Sequence, residues 1–161
     1  MNKRRRLIVA IGAGALAAPL ACFAQQQTAK VPRIGLILAS AVSDMPIQIE
    51  ALRAGLRELG YVEGKNIVLE FRSSEGNYGR LPELAAELVR LKVDIIVSPG
   101  TPATQAAKAA TTTIPVVMVG AGDPVASGLV ASLARPGGNV TGTSNLSPEL
   151  LVKRLELLKE A

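Results

Sequence analysis

A short, almost wholly apolar run recurs along this chain, each time followed by a longer stretch with helical periodicity. Residues 33–39 (Arg-Ile-Gly-Leu-Ile-Leu-Ala) are the first such run, and their lack of polar alternation is the pattern of a strand buried on two faces. Residues 40–46 form a loop. Residues 47–59 then place Ile49, Leu52, Leu56 and Leu59 on one helical face, with Glu50, Arg53, Arg57 and Glu58 off it, and Gly60 supplies a stop. Residues 66–72 read as a second strand with one face less buried.

The cycle continues. Residues 81–91 predict a helix with Pro82 in its first turn, where a missing N–H costs nothing. Residues 93–98 predict a strand opened by Asp94, residues 101–110 an Ala-rich helix after Pro99-Gly100, and residues 114–119 a fourth strand. Residues 124–133 predict a helix, Arg135-Pro136-Gly137-Gly138 a turn, and residues 139–143 a fifth strand. Ser147 and Pro148, as N-cap and first helical residue, open a last helix over 149–160. Strand and helix in this rhythm imply right-handed βαβ units. The expected fold class is therefore α/β, a three-layer lobe with a parallel sheet and helices on its two faces.

The first two dozen residues stand outside this rhythm. Lys3, Arg4, Arg5 and Arg6 precede an apolar run over 7–21, and Cys22-Phe23-Ala24 then leads into Gln25-Gln26-Gln27. That is the order of a secretory signal peptide, cleaved after Ala24. The apolar run is shorter than the roughly 20 residues of a membrane span. Lipid anchoring at Cys22 is the alternative, disfavoured because Pro19 stands where such signals carry Leu. The Arg4-Arg5-Arg6 run also brushes the twin-arginine pattern. Each route leads to the periplasm.

The leader changes how composition reads. Of 18 Lys and Arg residues four stand at positions 3–6, and the remaining 14 face 13 Asp and Glu, a balance of +1. With two Phe, two Tyr and no Trp for base stacking, nucleic acid is excluded as a partner. The only Cys lies in the leader and there is no His. Ser-His-Asp and Cys-His catalysis are thereby removed, and a transition-metal site is disfavoured. No cofactor motif survives inspection: Gly120-Ala121-Gly122 lacks the last glycine of a dinucleotide fingerprint, where Val125 stands.

In an open parallel sheet, ligands bind beyond the C-terminal ends of the strands. That rule selects the loops at 40–44, 98–102 and 120–124, and within them Ser40, Ala41, Ser98, Gly100, Thr101, Gly120, Ala121 and Asp123. The second and third loops lead into helices, so free N–H groups point at the crevice and suit an anion. Asp123 suits an ammonium group. Thr101 and Asp123 also read as plain N-caps, and glycine, proline and serine as ordinary turn residues.

Several blocks are familiar as sequence. Arg33-Ile34-Gly35, residues 56–67 (Leu-Arg-Glu-Leu-Gly-Tyr-Val-Glu-Gly-Lys-Asn-Ile), residues 80–89, Asp123-Pro124-Val125, Gly128-Leu129-Val130 and residues 132–142 (Ser-Leu-Ala-Arg-Pro-Gly-Gly-Asn-Val-Thr-Gly) resemble a bacterial family of ABC-transporter substrate-binding proteins of tryptophan and tyrosine type. The resemblance implies a type I periplasmic binding protein, in which two α/β lobes close on a small-molecule solute and deliver it to an ABC permease in the inner membrane. It implies no enzyme, and it places ligand contacts on the three loops, with a ligand carboxylate near Gly100 and Thr101. After the signal peptide at 1–24 and a linker at 25–32, it implies a first lobe at 33–143 and, at 144–161, a crossover and first helix of a second lobe that the chain lacks. The expectation is thus an N-terminal fragment exposing apolar surface on its crevice face and last helix. A periplasmic sensor input domain or enzyme on the same fold is the alternative.

Overall fold

The computed structural model describes residues 30–145 and 156–159. The leader and most of the last helix lie outside the described residues, as do the boundary at 24 and most of the segment after 144. Residues 31–145 hold five strands, β1 (Arg33–Leu38), β2 (Val68–Ser73), β3 (Ile95–Pro99), β4 (Val116–Ala121) and β5 (Val140–Ser144), and three helices, α1 (Pro46–Glu58), α2 (Leu81–Arg90) and α3 (Thr101–Ala110). The strands form one parallel sheet in the order β2-β1-β3-β4-β5. The fold is the expected α/β arrangement.

Strand starts shift later than expected, for local reasons. Asn66 belongs to a turn, accepting from Val62 N and donating to the Gly60 carbonyl, so β2 begins at Val68. Val93 still donates to the Leu88 carbonyl of α2, so β3 begins at Ile95. Ile114 donates to Thr111 Oγ1 and Pro115 has no N–H, so β4 begins at Val116. Leu59, expected on the buried face of α1, is its C-cap and is 76% exposed.

The helix expected at 124–133 is absent; one turn stands in its place. Asp123 Oδ1 accepts from Val125 N and Ala126 N, and Ser127 N donates to the Asp123 carbonyl. Gly128 then turns left-handed at φ 69° while Leu129 N returns to the Pro124 carbonyl, which closes the turn as a glycine C-cap does. The apolar pair Leu129–Val130 is buried from this irregular loop, so apolar spacing alone mimics a helix.

Handedness makes the two faces unequal. The β1-to-β2 connection runs toward one edge of the sheet; every later connection runs toward the other. Right-handed crossovers therefore put α1 on one face, and α2, α3 and the 123–139 loop on the other. The crowded face holds the main core: Ile37, Leu84, Leu88, Ile96, Val116, Met118, Leu129 and Val140. On the α1 face a smaller cluster of Leu36, Leu38 and Leu69 packs with Leu52, Leu56, Phe71 and Val97. Beyond it, in register with Val97, come Val117, half-buried, and then Val119, 46% exposed. Exposed apolar surface thus lies on this face of β4, at Val119. Among the described residues no helix is long and apolar enough to cross a membrane.

Candidate functional site

The chain reverses its direction of travel across the sheet between β1 and β3, which are neighbours. The loops leaving these two strands diverge there and open a crevice. The loop leaving β4 stands next to them.

Ser40 and Ala41 are half-buried in the loop after β1, ahead of a 3-10 turn at Val42–Asp44. Gly100 is the N-cap of α3 with φ 76°, and no side chain caps that helix. Its N–H donates to the Val119 carbonyl at 3.0 Å. Pro102 removes one first-turn donor, and the N–H groups of Thr101 and Ala103 have no acceptor within α3. Thr101 is the first helical residue, not the N-cap: its Oγ1 accepts from Gly122 N at 3.0 Å. This bond ties the loop after β3 to the loop after β4.

Two of the expected residues face inward. Ser98 is fully buried and its Oγ donates to Thr104 Oγ1 at 3.0 Å. Thr104 Oγ1 in turn donates to the Gly100 carbonyl at 2.7 Å and lies 3.1 Å from the Ser98 carbonyl. Ser98 therefore fixes the bend that presents Gly100 and Thr101. Ala121 is also fully buried, and its carbonyl accepts from Asn145 N at 2.7 Å. Gly120 N donates to Thr143 Oγ1 at 3.2 Å. Asp123 is exposed, and its Oδ1 accepts from Val125 N and Ala126 N in the manner of an N-cap, but on a single turn and not on the helix expected there.

Ser73, Ser74, Thr143 and Asn145 reach the same edge and were not singled out by sequence. The rule that selects loops beyond strand ends applies equally to β2 and β5, so the signal existed. Thr143 and Asn145 hold the β4 loop through the bonds above. Gly142 makes that geometry possible: at φ 133° it lies against β4, where a Cβ would collide with the Met118 carbonyl and amide, and the β4–β5 register shifts between Met118 and Ala121.

The edge offers binding chemistry: main-chain N–H groups, the hydroxyls of Ser40 and Thr101, and the Asp123 carboxylate. The shifted ionisable groups lie elsewhere, on α1. A hydrogen bond from Arg57 lowers the Glu50 carboxyl, and a hydrogen bond to Glu63 raises the Arg53 guanidinium. Two surface cavities also lie off this edge, one of about 150 Å³ beside Arg53, Tyr61 and Leu69, the other of about 320 Å³ beside Lys108, Leu129 and Asn139.

Residues 33–161 match the family model described as ABC transporter substrate binding protein. The chain belongs to this family. A curated relative, the tyrosine-binding protein of Clostridioides difficile (strain R20291), is 41% identical over 104 residues, 65% of this chain and 30% of the relative. Among solved structures, a conserved domain protein from Vibrio cholerae O1 biovar eltor str. N16961 superposes with a TM-score of 0.74 at 35% identity, covering 81% of this chain and 44% of that one. An ABC domain in complex with L-Trp from Streptococcus pneumonia superposes with a TM-score of 0.64 at 33% identity, covering 70% of this chain and 38% of that one. This chain spans less than half the length of each of these relatives.

Proposed function

We propose that this chain supplies one ligand-binding lobe of a periplasmic component of an ABC importer, and that its solute is an aromatic amino acid. The observation that carries the reading is the family match across residues 33–161. The relatives that are named for tyrosine or solved with L-Trp supply the ligand class. The shelf beyond β1, β3 and β4 suits such a ligand. The uncapped start of α3 offers Thr101 N–H, Ala103 N–H and a favourable dipole to an α-carboxylate. Ser40 and Thr101 add hydroxyls, and Asp123 lies on the neighbouring loop for the α-ammonium. Gly100, Gly120 and Ala41 leave room for close backbone approach, while Ser98 and Ala121 support the shelf from beneath. A second lobe would bring the remaining contacts, and an inner-membrane permease would receive the solute.

Titration calorimetry with L-tryptophan, L-tyrosine, tryptamine and 3-indolepropionate tests this. The amino acids should bind, and the two analogues, each lacking one charged group, should bind at least tenfold more weakly. No response to any aromatic amino acid at millimolar concentration would sink the reading. Export is tested separately by fusing residues 1–30 to a reporter that folds only outside the cytoplasm; an inactive reporter would refute the leader.

A further inference from the structure

We propose that Ser73 and Ser74, at the end of the edge strand β2, are positioning residues for the ligand loop after β1; the inference rests on the reading that solute sits on this edge. The β1–β2 ladder ends with Leu38 opposite Ser73. Beyond that point the carbonyls of Leu38, Ala39 and Ser40 are still held by Ser73 and by the residues that follow β2. Ser74 N donates to the Leu38 carbonyl at 2.9 Å. Ser74 Oγ donates to the Ala39 carbonyl at 2.8 Å, and Gly76 N reaches the same carbonyl at 2.8 Å. Ser73 Oγ donates to the Ser40 carbonyl at 2.7 Å. Side-chain hydroxyls thus replace main-chain donors where β1 leaves the sheet to form the crevice wall.

The brace has further support. Ser74 is 1% exposed, so its hydroxyl is committed inward and not available to solvent. Ser73 Oγ also accepts from Glu75 N at 3.1 Å. Glu75 is left-handed at φ 52°, a conformation costly for a residue with a side chain, and one that persists where surrounding bonds over-determine it. Ser73, Ser74 and Gly76 therefore fix the backbone of residues 38–40, with Glu75 N holding the Ser73 hydroxyl, and with that backbone Ser40 and Ala41. A loop already ordered before binding loses less entropy when the ligand arrives. Removing one such hydrogen bond should weaken binding by about three- to tenfold, the worth of a single bond.

The test compares Ser73→Ala, Ser73→Thr and the wild-type chain by amide hydrogen exchange without ligand and by titration with L-tryptophan. Ser73→Ala should speed exchange at residues 39–41 and weaken L-tryptophan binding three- to tenfold, with Tm lowered by only about 2–6 °C, the worth of the one bond. Ser73→Thr keeps the hydroxyl and should restore wild-type exchange and affinity. Unchanged exchange at 39–41 in Ser73→Ala overturns the proposal whether or not the wild type binds L-tryptophan. Faster exchange with wild-type affinity overturns it as well. A wild type that ignores L-tryptophan while exchange responds as expected supports the brace and refutes the choice of ligand instead.

Discussion

Gly142→Ala is the most demanding perturbation the fold offers. The residue pairs with Met118 across β4 and the edge strand β5, with φ 133°. An added Cβ would overlap the Met118 carbonyl and amide, which are main-chain atoms of a paired strand and have no side-chain torsion to relieve the clash. Backbone in so sparsely populated a region costs about 1–3 kcal/mol for a residue with a side chain. Displacing β5 would also loosen ladder hydrogen bonds worth about 1 kcal/mol each. Together these predict a loss of about 3 kcal/mol or more, a fall in Tm on the order of 10–15 °C for a domain of this size. Gly55→Ala is the matched control. It lies inside α1 with nothing within 4 Å of the added carbon, so it should stabilise by about 0.5–1 kcal/mol. Thermal unfolding followed by circular dichroism reads the two variants side by side. A Gly142→Ala loss under 1 kcal/mol, or a destabilised Gly55→Ala, would refute the reasoning.

Other substitutions probe the shelf. Thr104→Val keeps shape but leaves Ser98 Oγ and the Gly100 carbonyl without their shared partner, and urea unfolding should show a loss of about 1–3 kcal/mol. Adding Ser98→Ala should recover much of it, since both polar partners are then gone. Asp123→Asn retains an acceptor for Val125 N and Ala126 N, because Asn caps as well as Asp, so unfolding should be unchanged. The same variant should weaken L-tryptophan binding at least tenfold yet leave 3-indolepropionate, which has no ammonium, unaffected; equal losses for the two ligands would remove Asp123 from the ammonium site.

The sheet was legible because burial on two faces imposes a recognisable apolar run: all five expected strands occur, β1 with its expected start and the other four with starts one or two residues later. Displacements came from hydrogen bonds no periodicity reveals, such as Ile114 N to Thr111 Oγ1. The 124–133 segment misled for a related reason: Val125, Leu129 and Val130 are spaced like a helical face, while Asp123 and Gly128 confine the helix to one turn. At the shelf, residue types marked three loops but not the orientation of their side chains. Ser98 and Thr101 look alike in sequence, and only packing decides that one hydroxyl turns inward to Thr104 and the other joins two loops. The Ser73–Ser74 brace was hidden because its bonds reach 33 and 35 residues along the chain.

An amino-acid ligand on the C-terminal edge of the sheet, as proposed above, would lie against three loops whose amides can be followed one by one. Amide chemical-shift mapping with L-tryptophan reads them. Shifts should concentrate at residues 39–41, 100–103 and 120–123, with Thr101 and Ala103 among the largest. Shifts centred on the cavities beside Tyr61 or Lys108, with those loops unmoved, would contradict it.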